Sequence, residues 1–200
     1  MNTNNKKKRL VQLLAFTLVF TAFYFSSNAQ IVMPKDESGK ITYLDVVKID
    51  SIPSDTIFKR IKNWVKFTYP VSKTTIDSAA KTVTTRGRFL VYINPGVLKE
   101  IHGAIRYDLS IELKGNRYRY VFTNFVFEYY RQDKFYKFNP TGKEKPLEDE
   151  KFPGWQAPWE KHKYNTDALV KSKVADLKKS IENKKAETMV IPAVQKSKDW

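Results

Sequence analysis

The chain has 200 residues, with 36 lysines and arginines against 21 acids, a net charge of +15, 42% hydrophobic and 14% aromatic residues, and no cysteine. The apolar and aromatic content excludes a disordered polar chain, and the missing thiols exclude disulfides, cysteine metal sites, a thiol nucleophile and a lipid-modified cysteine. The charge would suit an anionic partner such as nucleic acid, lipid headgroups or acidic polysaccharide, but the lysines are spread along the chain, which favours a solvated surface.

Residues 1–29 have the three parts of a secretory leader. Lys6-Lys7-Lys8-Arg9 is a positive start, Leu10 to Phe25 is an apolar run, and Ser27-Asn28-Ala29 places small residues before a cleavage point. The run is short for a membrane span, which takes roughly 20 residues, so an uncleaved anchor is the weaker alternative. The mature chain is expected to begin near Gln30 with a net charge of +11, the leader holding four cations and no acid. No other stretch is apolar enough to span a bilayer. The working protein is thus expected in the periplasm or at the cell surface, as one domain over residues 34–185 with a mobile basic tail at 186–200.

Ile41 to Ile49 is rich in β-branched and aromatic residues and reads as a strand. Pro53-Ser54-Asp55 follows, with Ser54 placed to cap a helix, and Ile57, Phe58, Ile61, Trp64 and Val65 recur on one helical face. Pro70 ends that unit. Thr74 to Asp77 is a short strand. From Lys81 the chain alternates, with Val83, Thr85, Gly87, Phe89, Val91 and Ile93 on one side and Thr84, Arg86, Arg88, Leu90 and Tyr92 on the other, until the turn at Asn94-Pro95-Gly96.

Ile101 to Leu113 and Arg117 to Tyr130 flank Gly115-Asn116, a two-residue hairpin signal. That turn sets Leu113 opposite Tyr118, Ile111 opposite Tyr120 and Leu109 opposite Phe122, with Glu112 beside Arg119 and Asp108 beside Thr123 on the other face. Residues 131–162 read as a long aromatic and proline-rich loop insertion. A last helix is expected from Thr166-Asp167, with Val170, Val174, Leu177 and Ile181 as its apolar stripe. Two amphipathic helices and one mostly antiparallel sheet need each other to bury their apolar faces, so the fold class is a two-layer α+β domain in the order β-α-β-β-β-β-α, with both helices on one sheet face.

Several short stretches carry a resemblance. They are Gly39-Lys40-Ile41-Thr42-Tyr43 with Val46-Val47, Trp64, Thr85-Arg86-Gly87, Ile111-Glu112-Leu113-Lys114 and Arg117-Tyr118-Arg119-Tyr120. Together they resemble an exported bacterial domain-of-unknown-function family with a TBP-like fold, the architecture of the TATA-box-binding protein. The similarity runs over about residues 34–130. It implies the fold and export and no activity; sharing an architecture with a DNA-binding protein is analogy alone. Thr85 departs from the resemblance, which implies a second glycine before Gly87, and so does the aromatic loop.

The chemistry of named sites is largely missing. His102 and His162 stand sixty positions apart with no ligand cluster around them, and each reads as a surface histidine, His102 on the polar sheet face. There is no Gly-x-Ser-x-Gly elbow and no glycine-rich phosphate loop. Glu148-Asp149-Glu150 reads as a solvated patch. No cofactor and no metal is expected.

What remains is the open sheet face, where alternation places Arg86, Arg88, Arg106, Arg119 and His102 with Tyr92, Val121 and Phe125 nearby. Basic groups among aromatics suit anionic polymers. The competing expectation is that Phe152, Trp155 and Trp159 fold back over Val121, Phe125 and Phe127 while the arginines pair with acids. The function expected from sequence is a non-enzymatic binding or envelope-interaction module using this face. Its partner would be an envelope component such as an anionic glycan or a protein, export counting against nucleic acid. The alternatives are an envelope-polymer hydrolase working through Asp or Glu carboxylates, and membrane-surface association through the basic C-terminal helix.

Overall fold

In the computed structural model, residues 32–93, 100–152 and 156–182 are described. The expected leader, the Asn94-Pro95-Gly96 turn, Trp155 and the basic tail lie outside the described residues. Six strands and two helices follow in the order β1 (Tyr43–Lys48), α1 (Ser54–Thr68), β2 (Thr74–Asp77), β3 (Thr82–Ile93), β4 (Glu100–Lys114), β5 (Arg117–Gln132), β6 (Phe138–Pro146) and α2 (Gln156–Glu182).

The β4–β5 hairpin organises the sheet. Gly115 sits at φ 56°, a left-handed conformation that glycine adopts without steric cost, and the strands leave the turn in the register the sequence predicts. Leu113 lies opposite Tyr118, Ile111 opposite Tyr120, Leu109 opposite Phe122, Glu112 opposite Arg119 and Asp108 opposite Thr123. All strand pairs are antiparallel, in the order β1-β5-β4-β3-β2. The outer edge of β5 is shared: β1 pairs with residues 117–122, and β6 pairs with Val126 to Gln132.

One sheet face is buried under the helices. Ile57, Phe58, Ile61, Trp64 and Val65 of α1 are all buried, as the periodicity predicts, at roughly 2 kcal/mol of gross burial energy each. Ser54 does not cap the helix. Pro53 holds the cap position with no side-chain bond, and the Ser54 hydroxyl accepts from Lys81 Nζ at 3.0 Å instead.

Two expectations for residues 131–162 fail, so the chain holds a sixth strand beyond those expected, and the insertion is not a loop. β6 contains Pro140, Gly142 and Pro146, residues that argue against a central strand. It is an edge strand, where a missing N–H can face solvent. Helix α2 begins ten residues before Thr166. Pro158 falls in its first turn, where proline is tolerated, and the buried stripe starts at Trp159 and continues through His162, Thr166, Val170, Leu177 and Ile181.

Helix α2 is tied to the sheet at two levels. Lys178 Nζ meets Asp45 Oδ2 at 2.9 Å, and the buried Tyr43 hydroxyl donates to Asp167 Oδ1 at 2.8 Å. Burial, with Asp167 alongside, pushes the Tyr43 hydroxyl pKa well above its ordinary value. Tyr43→Phe is expected to lower stability by about 1–2 kcal/mol in urea denaturation. A midpoint identical to wild type would show that this bond contributes nothing.

Candidate functional site

The face opposite the helices is open. Side chains on alternating positions of β3, β4 and β5 floor a groove of about 760 Å³, and Val71, Ser72, Lys73 and Thr75, from the α1–β2 connection and β2, wall one side of it. Three hydroxyl residues, Thr84, Ser110 and Thr123, cross the floor with Val121. Val71 stands 98% exposed at the rim.

Arg86, Arg88 and Arg106 all line this groove, and each has a carboxylate partner. Arg86 Nε meets Asp108 Oδ1 at 2.9 Å. Arg88 Nε donates to Glu128 Oε2 at 2.7 Å, and its other arm donates to the Tyr130 hydroxyl. Arg106 lies 3.6 Å from Glu128 Oε1 and 2.8 Å from Glu144 Oε2. Three guanidinium groups are therefore interleaved with three carboxylates, and among the described residues Lys73 is the one further cation of the lining. Burial works to raise the Asp108 pKa, but donors on Asn124 and Arg86 outweigh it and hold the carboxyl below its usual range.

Arg119 is on the same face but not in the same groove. It pairs with Glu112 at 2.6 Å beside Val46, Lys114 and Arg117. Of the expected arrangement, the arginine–acid pairing is what forms.

His102 is not on this face. Pairing of β3 and β4 slips between Val91 and Tyr92, so that Val91 faces Gly103 and Tyr92 faces Ile101. His102 is the extra residue, and a bulge re-aims its side chain. Its ring packs on Phe127 and Phe152, centroids 5.2 and 5.7 Å away, and its Nδ1 lies 2.8 Å from Nε2 of His162. His162 is wholly buried and stacks on Phe127 at 5.7 Å and 14°. Neither ring is a surface histidine.

Phe125 also changes sides. Asn124 takes φ 55°, a conformation to which asparagine is well suited, and the β4–β5 register shifts there. Phe122, Phe125 and Phe127 all become fully buried on the helix side. Phe152 and Trp159 do cover Phe127, but on the helix side, so they leave the arginine groove open. The apolar stripe of α2 is spent inside the protein, with Val170, Leu177 and Ile181 fully buried. It is not available for an interface with lipid. Glu148 is no part of a solvated patch either, since its Oε1 accepts the Ile41 amide at 3.0 Å.

Sequence reasoning missed the hydroxyl floor, although alternation on three adjacent strands already puts Thr84, Ser110 and Thr123 on the arginine side. It missed Glu128 and Glu144 as the counter-charges of Arg106 for a different reason. Glu144 comes from β6, which no sequence signal marks. Among the described residues no group of three or more His, Asp or Glu side chains could hold a metal ion.

This chain is similar in structure to a TBP-like protein from Parabacteroides distasonis, with a TM-score of 0.60 and 21% identity over 75% of this chain and 97% of that one. It is also similar to a DUF4468 family protein from Bacteroides ovatus, with a TM-score of 0.53 and 12% identity over 76% of this chain and 91% of that one. At these identities the likeness speaks for the fold. No curated protein matches the chain. The family model for a domain of unknown function with TBP-like fold, DUF4468, matches residues 43–128, the segment from β1 through most of β5 that holds the groove floor. Over that segment the chain matches the DUF4468 family model, and its fold is TBP-like.

Proposed function

We propose that the protein is a non-enzymatic binding module, directed to the cell envelope by residues 1–29, that holds an extended polymer on its open sheet face. The observation that carries this reading is the groove itself: an uncovered channel with a hydroxyl floor and alternating guanidinium and carboxylate groups. Such a surface offers donors and acceptors in alternation, which suits a peptide strand or the hydroxyls of a glycan chain. It suits a polyphosphate backbone poorly, because each groove arginine already has a carboxylate partner and a phosphate would have to displace it. A hydrolase is disfavoured on the same ground. The general acid of such an enzyme needs a raised pKa, and Asp108 in this groove is held below the usual range.

Filling the groove tests the proposal. Ser110→Trp and Thr123→Trp place bulk on an open surface and leave the helix-side core untouched. Retention of the protein on the envelope fraction of its own cell is expected to fall at least about ten-fold, a loss of roughly 1.4 kcal/mol in binding, with the melting temperature held. Unchanged retention in both variants would remove the groove as the contact surface.

A further inference from the structure

β5 and β6 turn over through Asp133-Lys134-Phe135-Tyr136-Lys137, and this turn exposes aromatic rings in a way the rest of the sheet does not. Phe135 is 69% exposed and Tyr136 82% exposed. The turn is also firmly built. Asp133 Oδ1 accepts the amides of Phe135 at 2.8 Å and Lys137 at 3.0 Å, and its Oδ2 accepts from Asn139 at 2.9 Å. Two backbone bonds close it, Asp133 N to Lys137 O at 2.8 Å and Tyr136 N to Asp133 O at 3.1 Å. Tyr136 is held at φ 61°, a conformation rare for a bulky residue and one that glycine or asparagine would occupy without strain.

A rigid turn that keeps two aromatic rings in water, one of them against its backbone preference, calls for an apolar environment at its tip. The charges around it indicate which. Arg131, Lys134 and Lys137 flank the two aromatics along the chain, and Lys134 Nζ stands 5.1 Å from the Phe135 centroid. The single acid, Asp133, is turned inward, and the amide of Lys137 heads the hydrogen bonds that hold its carboxyl below the usual range. Residues 139–144 beyond the turn are exposed and carry no large apolar side chain, so the large apolar surface stops at the tip. Two aromatic side chains offer on the order of 300 Å², well short of the roughly 800 Å² per partner of an ordinary protein interface. A bilayer surface asks for no matching area. Aromatic rings settle at headgroup depth, and a collar of cations adds attraction to anionic lipid.

We propose that the β5–β6 turn is a reversible membrane-surface contact, which inserts Phe135 and Tyr136 among the headgroups of an anionic bilayer. It is independent of the groove, none of whose lining residues belongs to the turn.

The chain has no cysteine, so a fluorophore can be placed at one site at a time in the full-length protein. Phe135→Cys carrying an environment-sensitive dye is compared with Val71→Cys, a position 98% exposed. On vesicles of phosphatidylcholine with about 30% phosphatidylglycerol, a blue shift is expected at 135 and none at 71, reversed by salt and absent on phosphatidylcholine alone. In co-sedimentation, the double change Phe135→Ser with Tyr136→Ser is expected to lower the bound fraction roughly five-fold or more. The thermal midpoint should be unaltered, because both side chains are exposed. An aqueous emission at 135 in the presence of these vesicles would overturn the proposal, as would sedimentation that the double change leaves intact. Either result would place lipid contact elsewhere, residues 1–29 included. A shift at 135 produced by envelope proteins and not by lipid would overturn it in favour of a protein partner.

Discussion

Replacing Gly87 by alanine is expected to destabilise the fold by about 3 kcal/mol or more, far beyond an ordinary glycine-to-alanine change in a strand. Gly87 faces Tyr107 across β3 and β4, and the Tyr107 ring lies directly over it. A Cβ at residue 87 would sit 2.1 Å from Tyr107 Cζ, 2.4 Å from its hydroxyl oxygen and 2.5 Å from Cε2. The ring has nowhere to go. It is 1% exposed, stacked on Phe125 at 5.6 Å and 26°, packed beside Phe122 and Phe89, and its hydroxyl lies 3.2 Å from that of Tyr69. Gly87 is therefore the hole into which the central aromatic of the core fits, and interiors packed to this density transmit such an overlap into many neighbours. The control is a double-mutant cycle. Once Tyr107→Leu has removed the ring, the added methyl should cost less than about 1 kcal/mol, so the two changes are strongly non-additive. Urea midpoints for the four proteins decide it. A wild-type background that absorbs Gly87→Ala within about 1 kcal/mol would mean that Tyr107 can vacate its place.

This glycine also shows what the sequence makes legible. The alternation through β3 puts position 87 on the core side, and the β4–β5 hairpin register follows from two local facts, a period of two and a Gly-Asn turn. The α1 stripe is equally local. What is lost lies where a local rule is broken by a partner distant in sequence. The two bulges, at His102 and Asn124, each reverse the sense of alternation. A period-two reading carried past them puts His102 and Phe125 on the wrong face. β6 owes its existence to the open edge of β5, and its prolines mask it. The first turns of α2 look like loop because Pro158 is read as a breaker when it stands where helices accept it. The arginine side of the site was legible for the same reason as the hairpin, since Arg86, Arg88 and Arg106 precede or lie clear of the bulges. Asp108, the partner of Arg86, was legible with them, but Glu144 was not, because it arrives on the strand that local pattern hides.

The relocated histidines lead to the second large effect, which is a pH dependence. His102 Nδ1 and His162 Nε2 are 2.8 Å apart, a separation that admits one shared hydrogen, so one ring must donate and the other accept. A proton added to the accepting ring destroys that bond and places a charge against Phe127, which packs on both rings. Burial first, then the neighbouring His102 and Lys161, push the His162 pKa down from 6.5 to about 4. Burial also lowers His102, against an opposing pull from Glu100. The sign follows directly. Between those two values the unfolded chain binds the proton and the folded one does not, so folding stability falls as pH falls. Taking His162 alone, about 2 kcal/mol should be lost between pH 7 and pH 5, and about 3 kcal/mol by pH 4. Carboxylates act in a lower window. The Ser38 hydroxyl on Asp36 and the Lys137 amide on Asp133 head the interactions that hold those carboxyls below 3.8, so their contribution stays in place above that range and fades only beneath it. Glu112, held below 4.5 by Lys114 and Arg119, begins to lose its share near pH 4.5, so urea denaturation from pH 7 to pH 5 reads chiefly the histidines. His162→Phe keeps an aromatic ring in the stack on Phe127 and removes the buried base, and most of the slope in this window should disappear with it. If the variant keeps the wild-type slope, the pair is not what makes the fold acid-sensitive. Where this protein meets an acidified surface, the junction between β4 and the first turns of α2 is then the part expected to loosen first.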